Sequence, residues 1–163
     1  MDKQINDLIA ISRFYGRNPE YVIAGGGNTS WKNERELYIK ASGVSLADIS
    51  ENGFCVLDRA KLARLPEMEL SADPVEREEQ VKNGLMASRV NPESGLRPSV
   101  ETSLHDLFGY AYVVHTHPTL VNGLLCSQEA EQGVSRLFGQ KALYIPYSDP
   151  GFVLFTKKKR RHS

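Results

Sequence analysis

His115, Thr116 and His117 form an HxH triplet. In an extended strand alternate side chains point to one face, so the two imidazoles would stand side by side. Neighbouring imidazole nitrogens are a donor set for one divalent metal, with zinc–nitrogen bonds of about 2.0–2.1 Å. An isolated HxH fits a strand end with one buried and one exposed histidine equally well. Glu101 adds context, because Pro98-Ser99-Val100-Glu101 reads as the start of a helix just before the strand. A carboxylate beside two histidines can ligate a metal or act as a general base. Its plainer use is to complement a helix dipole, worth about 0.3–1 kcal/mol. His105 lies four residues on, on the same helical face as Glu101. It reads as a packing or surface histidine before it reads as a group behind the metal.

Gly25-Gly26-Gly27-Asn28-Thr29-Ser30 is a second centre of interest. Glycines let a backbone approach an anion closely, and Asn, Thr and Ser add side-chain donors. The run matches neither GxGxxG nor GxxxxGK[ST], so it does not indicate a nucleotide site, and a plain tight turn would explain it. Ser42-Gly43 and Ser99 are further candidate phosphate donors, Ser99 because exposed N–H groups at a helix start attract anions.

These residues need elements to position them. Apolar spacing predicts a helix over 3–15, with Ile5, Leu8, Ile9 and Ser12 on one stripe. Tyr21–Ala24, Leu37–Ala41 and Phe54–Leu57 read as strands, the first running into the three glycines. Asp73-Pro74-Val75-Glu76 is a helix start with a cap, a proline and a capping-box glutamate, and that helix reaches about Val90. Asn91–Arg97 reads as a loop, Pro98–Phe108 as a short helix and Ala111–His117 as a strand ended by Pro118. A helix over 119–131 and a strand at Ala142–Ile145 follow. Loose alternation of strands and helices suggests an α/β layered domain, with the sheet direction open.

Composition narrows the classes. The chain has 163 residues, 40% hydrophobic and 25% charged, which fits one globular domain rather than a disordered or collagen-like chain. No apolar run approaches the roughly 18–20 residues that span a bilayer. The N-terminus lacks a signal-peptide pattern, so a cytoplasmic protein without a membrane partner is expected. Lys157–Arg161 holds five of the 20 basic residues and leaves 15 basic against 20 acidic elsewhere. A mildly acidic domain is a poor nucleic-acid binder. The organisation expected is a domain over 1–155 and a solvated basic tail over 156–163. Cys55 and Cys126 lie in apolar runs with no partner at zinc or redox spacing, so buried, reduced thiols are expected.

In order along the chain, GGGNTS (Gly25–Ser30), IKASG (Ile39–Gly43), PSVE (Pro98–Glu101) and VHTHP (Val114–Pro118) resemble the class II aldolase/adducin family. Pro98–Cys126 and Tyr144–Gly151 are most similar to its long branch. There this domain is the aldolase part of a bifunctional rhamnulose-phosphate aldolase/dehydrogenase. The resemblance covers most of residues 20–155. It implies a three-layer α/β/α domain around a largely antiparallel sheet, a bound Zn2+ or similar divalent metal, and a homo-oligomer, often a tetramer. Carried over by motif, it implies His115 and His117 as metal ligands and Glu101 as ligand and acid/base. Asn28, Ser42, Gly43 and Ser99 would hold the phosphate of a sugar phosphate. The implied chemistry is reversible aldol cleavage, with the metal polarising the ketose carbonyl and stabilising an enediolate. Epimerisation and dehydration draw on related chemistry.

One departure stands out. The family's third histidine ligand lies farther downstream in an Asn-His-Gly context, and no such motif occurs here. His162 sits in the basic tail and is not assigned. The chain is therefore expected to resemble an N-terminal piece of the family domain, binding zinc weakly and turning over slowly. A non-catalytic, adducin-like interaction module or a truncated remnant is the alternative. The expected geometry has His115, His117 and Glu101 converging on one point, with Asn28, Ser42 and Ser99 lining one nearby pocket.

Overall fold

The structure is a computed structural model and describes residues 2–147. Its centre is a four-stranded, wholly antiparallel sheet in the order β3-β2-β1-β4, formed by β1 (Asn28–Lys32), β2 (Glu36–Lys40), β3 (Phe54–Asp58) and β4 (Tyr112–His115). Helix α1 (Asp2–Gly16) packs on one face. Its apolar stripe brings Ile5 and Leu8 against Trp31, Ile49 and Phe54. The other face carries α2 (Arg59–Leu62) and α3 (Pro74–Ala87), where Leu37, Ile39, Cys55 and Leu57 meet Leu62, Val81 and Leu85. This is the expected three-layer α/β/α arrangement, and the sheet direction left open by strand spacing is antiparallel.

All five residues of β1 are buried. Thr29 and Trp31 face α1, where the Thr29 hydroxyl lies 2.6 Å from that of Ser12. Ser12 gives its own proton to the Leu8 carbonyl, so Thr29 is the donor of this pair. The alternate residues Asn28, Ser30 and Lys32 project to the opposite face, as the two-residue strand period requires. There they meet α4 (Thr102–Leu107) and the turn before it. The Asn28 amide donates to Ser99 Oγ at 3.1 Å, the Ser30 hydroxyl lies 2.8 Å from His105 Nδ1, and Lys32 Nζ donates to the His105 carbonyl at 2.6 Å. One polar face of one strand thus fixes the segment that carries Glu101.

Several expected elements differ. Tyr21–Ala24 is not a strand: Tyr21 and Val22 donate to the Asn18 carbonyl and Gly26 to that of Ile23, so local turns use backbone groups that a ladder needs. The strand begins after the glycines, not before them. Helix α4 starts at Thr102 rather than Pro98, because Ser99 closes the turn by accepting from the Glu101 N–H at its Oγ and from Thr102 at its carbonyl. Residues 119–131 form two helices, α5 (Thr119–Leu125) and α6 (Ala130–Phe138), broken at Cys126–Glu129. Ala142–Ile145 has no regular structure, since no described strand lies beside it to accept its hydrogen bonds. Asp73 caps α3 through the Val75 and Glu76 N–H groups, but Glu76 accepts from Ser71 instead of closing a capping box. Cys55 is buried, and burial pushes its thiol up to about 11, whereas Cys126 is exposed at the break between helices. No helix among the described residues is long and apolar enough to cross a membrane. The basic tail and Ser148–Gly151 lie outside the described residues.

Candidate metal centre

Strand pairing assembles the site. In the antiparallel register of β1 and β4, Asn28 lies directly opposite His115. Strand β4 ends at His115, and His117 follows in extended chain held by its N–H to the Tyr21 carbonyl at 2.8 Å. Both imidazoles stand on one side, with their Nε2 atoms 2.9 Å apart. His115 turns its other nitrogen, Nδ1, to Glu101 Oε2 at 2.9 Å, and the Asn28 amide donates to that same oxygen. The result is a continuous chain, Asn28–Glu101–His115–His117, built from residues up to 89 positions apart in sequence.

The order of atoms in this chain decides its chemistry. A carboxylate only accepts, so the proton at the Glu101–His115 contact resides on Nδ1, and His115 Nε2 presents a bare lone pair. That lone pair points to the His117 ring. At 2.9 Å the two Nε2 atoms share a hydrogen bond, so His117 presents the proton to the bare His115 nitrogen. A tetrahedral zinc would take the place of that proton with the nitrogens about 3.3 Å apart, and the donor set, two imidazoles with a carboxylate behind one of them, suits zinc or a similar ion. Glu101 does not converge on the same point as expected. It stands at the far edge of the His115 ring and orients that ring. Among the described residues, no three His, Cys, Asp or Glu side chains are grouped to hold a metal.

Burial pushes the Glu101 carboxyl up, but the hydrogen bond and charge of His115 and the Asn28 amide outweigh it and leave it below its ordinary value. His117 is lowered by burial and by the neighbouring His115, with Glu101 opposing. His105 is 1% exposed, and its Nε2 has no hydrogen-bond partner among the described residues. Burial, reinforced by His115, lowers it from 6.5 to about 4. An unfolded chain takes up this proton near pH 6.5 while the folded chain refuses it until about pH 4. The contribution is therefore complete above pH 6.5 and is lost as pH falls towards 4. Between pH 7 and 5 we expect a loss of roughly 2 kcal/mol, read from urea midpoints. His105→Asn should flatten that slope, and an unchanged slope would show that burial of His105 is not its source.

The candidate phosphate residues divide into two groups. Asn28 and Ser99 are buried and hydrogen-bonded to each other. Ser42 and Gly43 are exposed in the turn after β2, and Gly43 adopts a positive φ of 84°. Ser42 joins the first group through its backbone, by donating to the Arg97 carbonyl at 2.8 Å two residues before Ser99. No hydrogen bond among the described residues links the Ser42 side chain to Asn28 or Ser99.

Lys40, unassigned from sequence, is 3% exposed, and its ammonium donates to the Val44 carbonyl across the Ser42–Gly43 turn. Burial lowers it, and the Glu101 charge opposes that shift. A lysine among the apolar residues Leu37–Ala41, two positions before Ser42-Gly43, is the signal that could have found it.

The sequence profile described as "Class II Aldolase and Adducin N-terminal domain" matches residues 6–161. A curated relative, "Uncharacterized oxidoreductase YuxG" of Bacillus subtilis (strain 168), is 28% identical over 165 residues, covering 94% of this chain. The chain spans only 23% of that relative's length. Among solved structures, the N-terminal class II aldolase domain of a conserved protein from Thermoplasma acidophilum matches with a TM-score of 0.84 and 29% identity. That match covers 99% of this chain and 76% of the other.

Proposed function

The chain belongs to the class II aldolase and adducin N-terminal domain family, and from that membership we propose a metal-dependent lyase that cleaves a sugar phosphate by a reversible aldol reaction. The observation that carries the proposal is the Asn28–Glu101–His115–His117 chain, which leaves two imidazole Nε2 atoms facing each other. His115 and His117 would hold the cation through these atoms. A divalent cation supplies a Lewis acid that draws electron density from a ketose carbonyl.

The remaining work falls to the chain's own residues. Glu101 Oε2 is taken by Asn28 and His115, which leaves Oε1 without a partner among the described residues as the oxygen that accepts and returns the substrate proton. Asn28, Ser42, Gly43 and Ser99 would bind the phosphate, and the buried Lys40 ammonium places a positive charge behind that turn. The wider assembly, a homo-oligomer, belongs to the same reading. So does an oxidoreductase portion elsewhere in longer relatives, given the name of a relative about four times this length.

Titration of the purified chain with zinc, followed by assays of ketose phosphates for aldehyde release, tests the proposal. Zinc-dependent cleavage is expected, slower than from a site with three protein ligands. Zinc binding without turnover of any ketose phosphate would favour the second reading, a non-catalytic adducin-like interaction module. What supports that reading is the count of donors: the described residues offer two imidazoles, where catalytic zinc usually has three protein ligands.

A further inference from the structure

The groups proposed to receive the phosphate, Asn28, Ser42, Gly43 and Ser99, are all neutral. Beside Ser42 lies a cavity of about 130 Å³, floored by Val81, Leu85 and Pro98 and rimmed by Ser42, Lys82 and Arg97. The Ser42 N–H bond to the Arg97 carbonyl fixes Arg97 next to the Ser42–Gly43 turn. Gly43 leaves open space on the side where a Cβ would stand, so a ligand can approach its backbone.

Arg97 differs from most of the other cations among the described residues, although Arg77 on α3 likewise has a buried Nε without a partner. Arg59 pairs with Asp106, Arg13 donates to Ile49, and Arg89 donates to Met86 and Leu96. Lys82 contacts Glu79, and Glu78 also lines the cavity, so its rim carries one carboxylate beside its two cations. Lys40 is buried and bonded to Val44. The exposed Arg97 guanidinium has neither a hydrogen bond nor an ion pair among the described residues. A guanidinium fork matches two oxygens of a phosphate, and such a cation beside neutral donors supplies the charge that they lack.

We propose that Arg97 pairs with the phosphate of the substrate and so makes this site select a phosphorylated over an uncharged sugar. The inference rests on the sugar-phosphate reading above. Calorimetry on the full chain with inorganic phosphate, dihydroxyacetone phosphate and dihydroxyacetone tests it in the wild type, Arg97→Gln and Arg97→Lys. Arg97→Gln should weaken both phosphates about ten- to hundredfold, the scale of a lost charge-assisted contact. It should leave dihydroxyacetone affinity, zinc affinity and melting temperature unchanged, because the Arg97 side chain is exposed and without a hydrogen bond among the described residues, and the Ser42 bond uses only its backbone carbonyl. Arg97→Lys should fall between, keeping charge but losing the fork. If Arg97→Gln binds the phosphates as tightly as the wild type, Arg97 has no such role while the sugar-phosphate reading stands. If the wild type itself binds neither phosphate, that reading fails and takes the assignment of Arg97 with it.

Discussion

Replacing His115 with alanine is expected to weaken zinc binding at least a hundredfold, and Glu101→Gln by about ten- to hundredfold. The order follows from the geometry. His115→Ala removes one of the two Nε2 donors and also strips Glu101 of its imidazole partner. Glu101→Gln keeps both Nε2 atoms. It replaces a carboxylate that only accepts from Nδ1 with an amide that can present either an oxygen or an NH2 group to it. The ring is then less firmly held in the tautomer that leaves Nε2 bare. Titration with zinc in a competing chelator measures both losses. Equal losses in the two variants would mean that Glu101 is itself a ligand, as the motif resemblance implies, and that the carboxylate swings from Nδ1 to the cation on binding. Turnover should separate them differently. General acid–base groups contribute about 10²–10⁴-fold, so Glu101→Gln should lose activity even at saturating zinc.

Much of this site is legible in the amino-acid sequence. The two histidines can be placed on one side because an HxH in extended chain has little choice. The pairing of Glu101 with Asn28 cannot be read from spacing, since it depends on the register of β1 against β4 and on the turn that Ser99 closes. The atom by which Glu101 meets His115 is likewise a matter of ring orientation, on which sequence is silent. Lys40 is hidden by its charge, because a lysine in a strand ordinarily points to water. Strand propensity loses where local hydrogen bonds compete with it: Tyr21–Ala24 has β-forming residues, but Asn18 and Ile23 draw its backbone into turns. Helix α1 and the β2–β3 core are readable because their periodicity and apolar content agree, and α3 is readable because Asp73-Pro74 marks its start.

The glycine run shows the same division between local pattern and tertiary cause, and it yields the largest expected loss of stability. Gly27 has a φ of +71°, and a Cβ there would stand 2.8 Å from the His115 carbonyl oxygen and 3.1–3.2 Å from Val22 and Leu46 side chains. Its lack of a side chain therefore lets the turn close against β4, directly behind His115, the proposed metal ligand, and close approach to an anion is not needed to explain it. Gly25 has no positive φ and no atom within 4 Å of its would-be Cβ. Gly27→Ala should cost about 2–5 kcal/mol, combining left-handed strain with overpacking against a backbone oxygen. It should also weaken zinc binding by displacing His115. Gly25→Ala should leave stability within about 0.5 kcal/mol or raise it slightly. Urea denaturation of the two variants, with phosphate affinity measured in parallel, separates the causes. If Gly25→Ala loses phosphate affinity while keeping its stability, the run also serves an anion. If Gly27→Ala is as stable as the wild type, the turn does not depend on that close approach to β4.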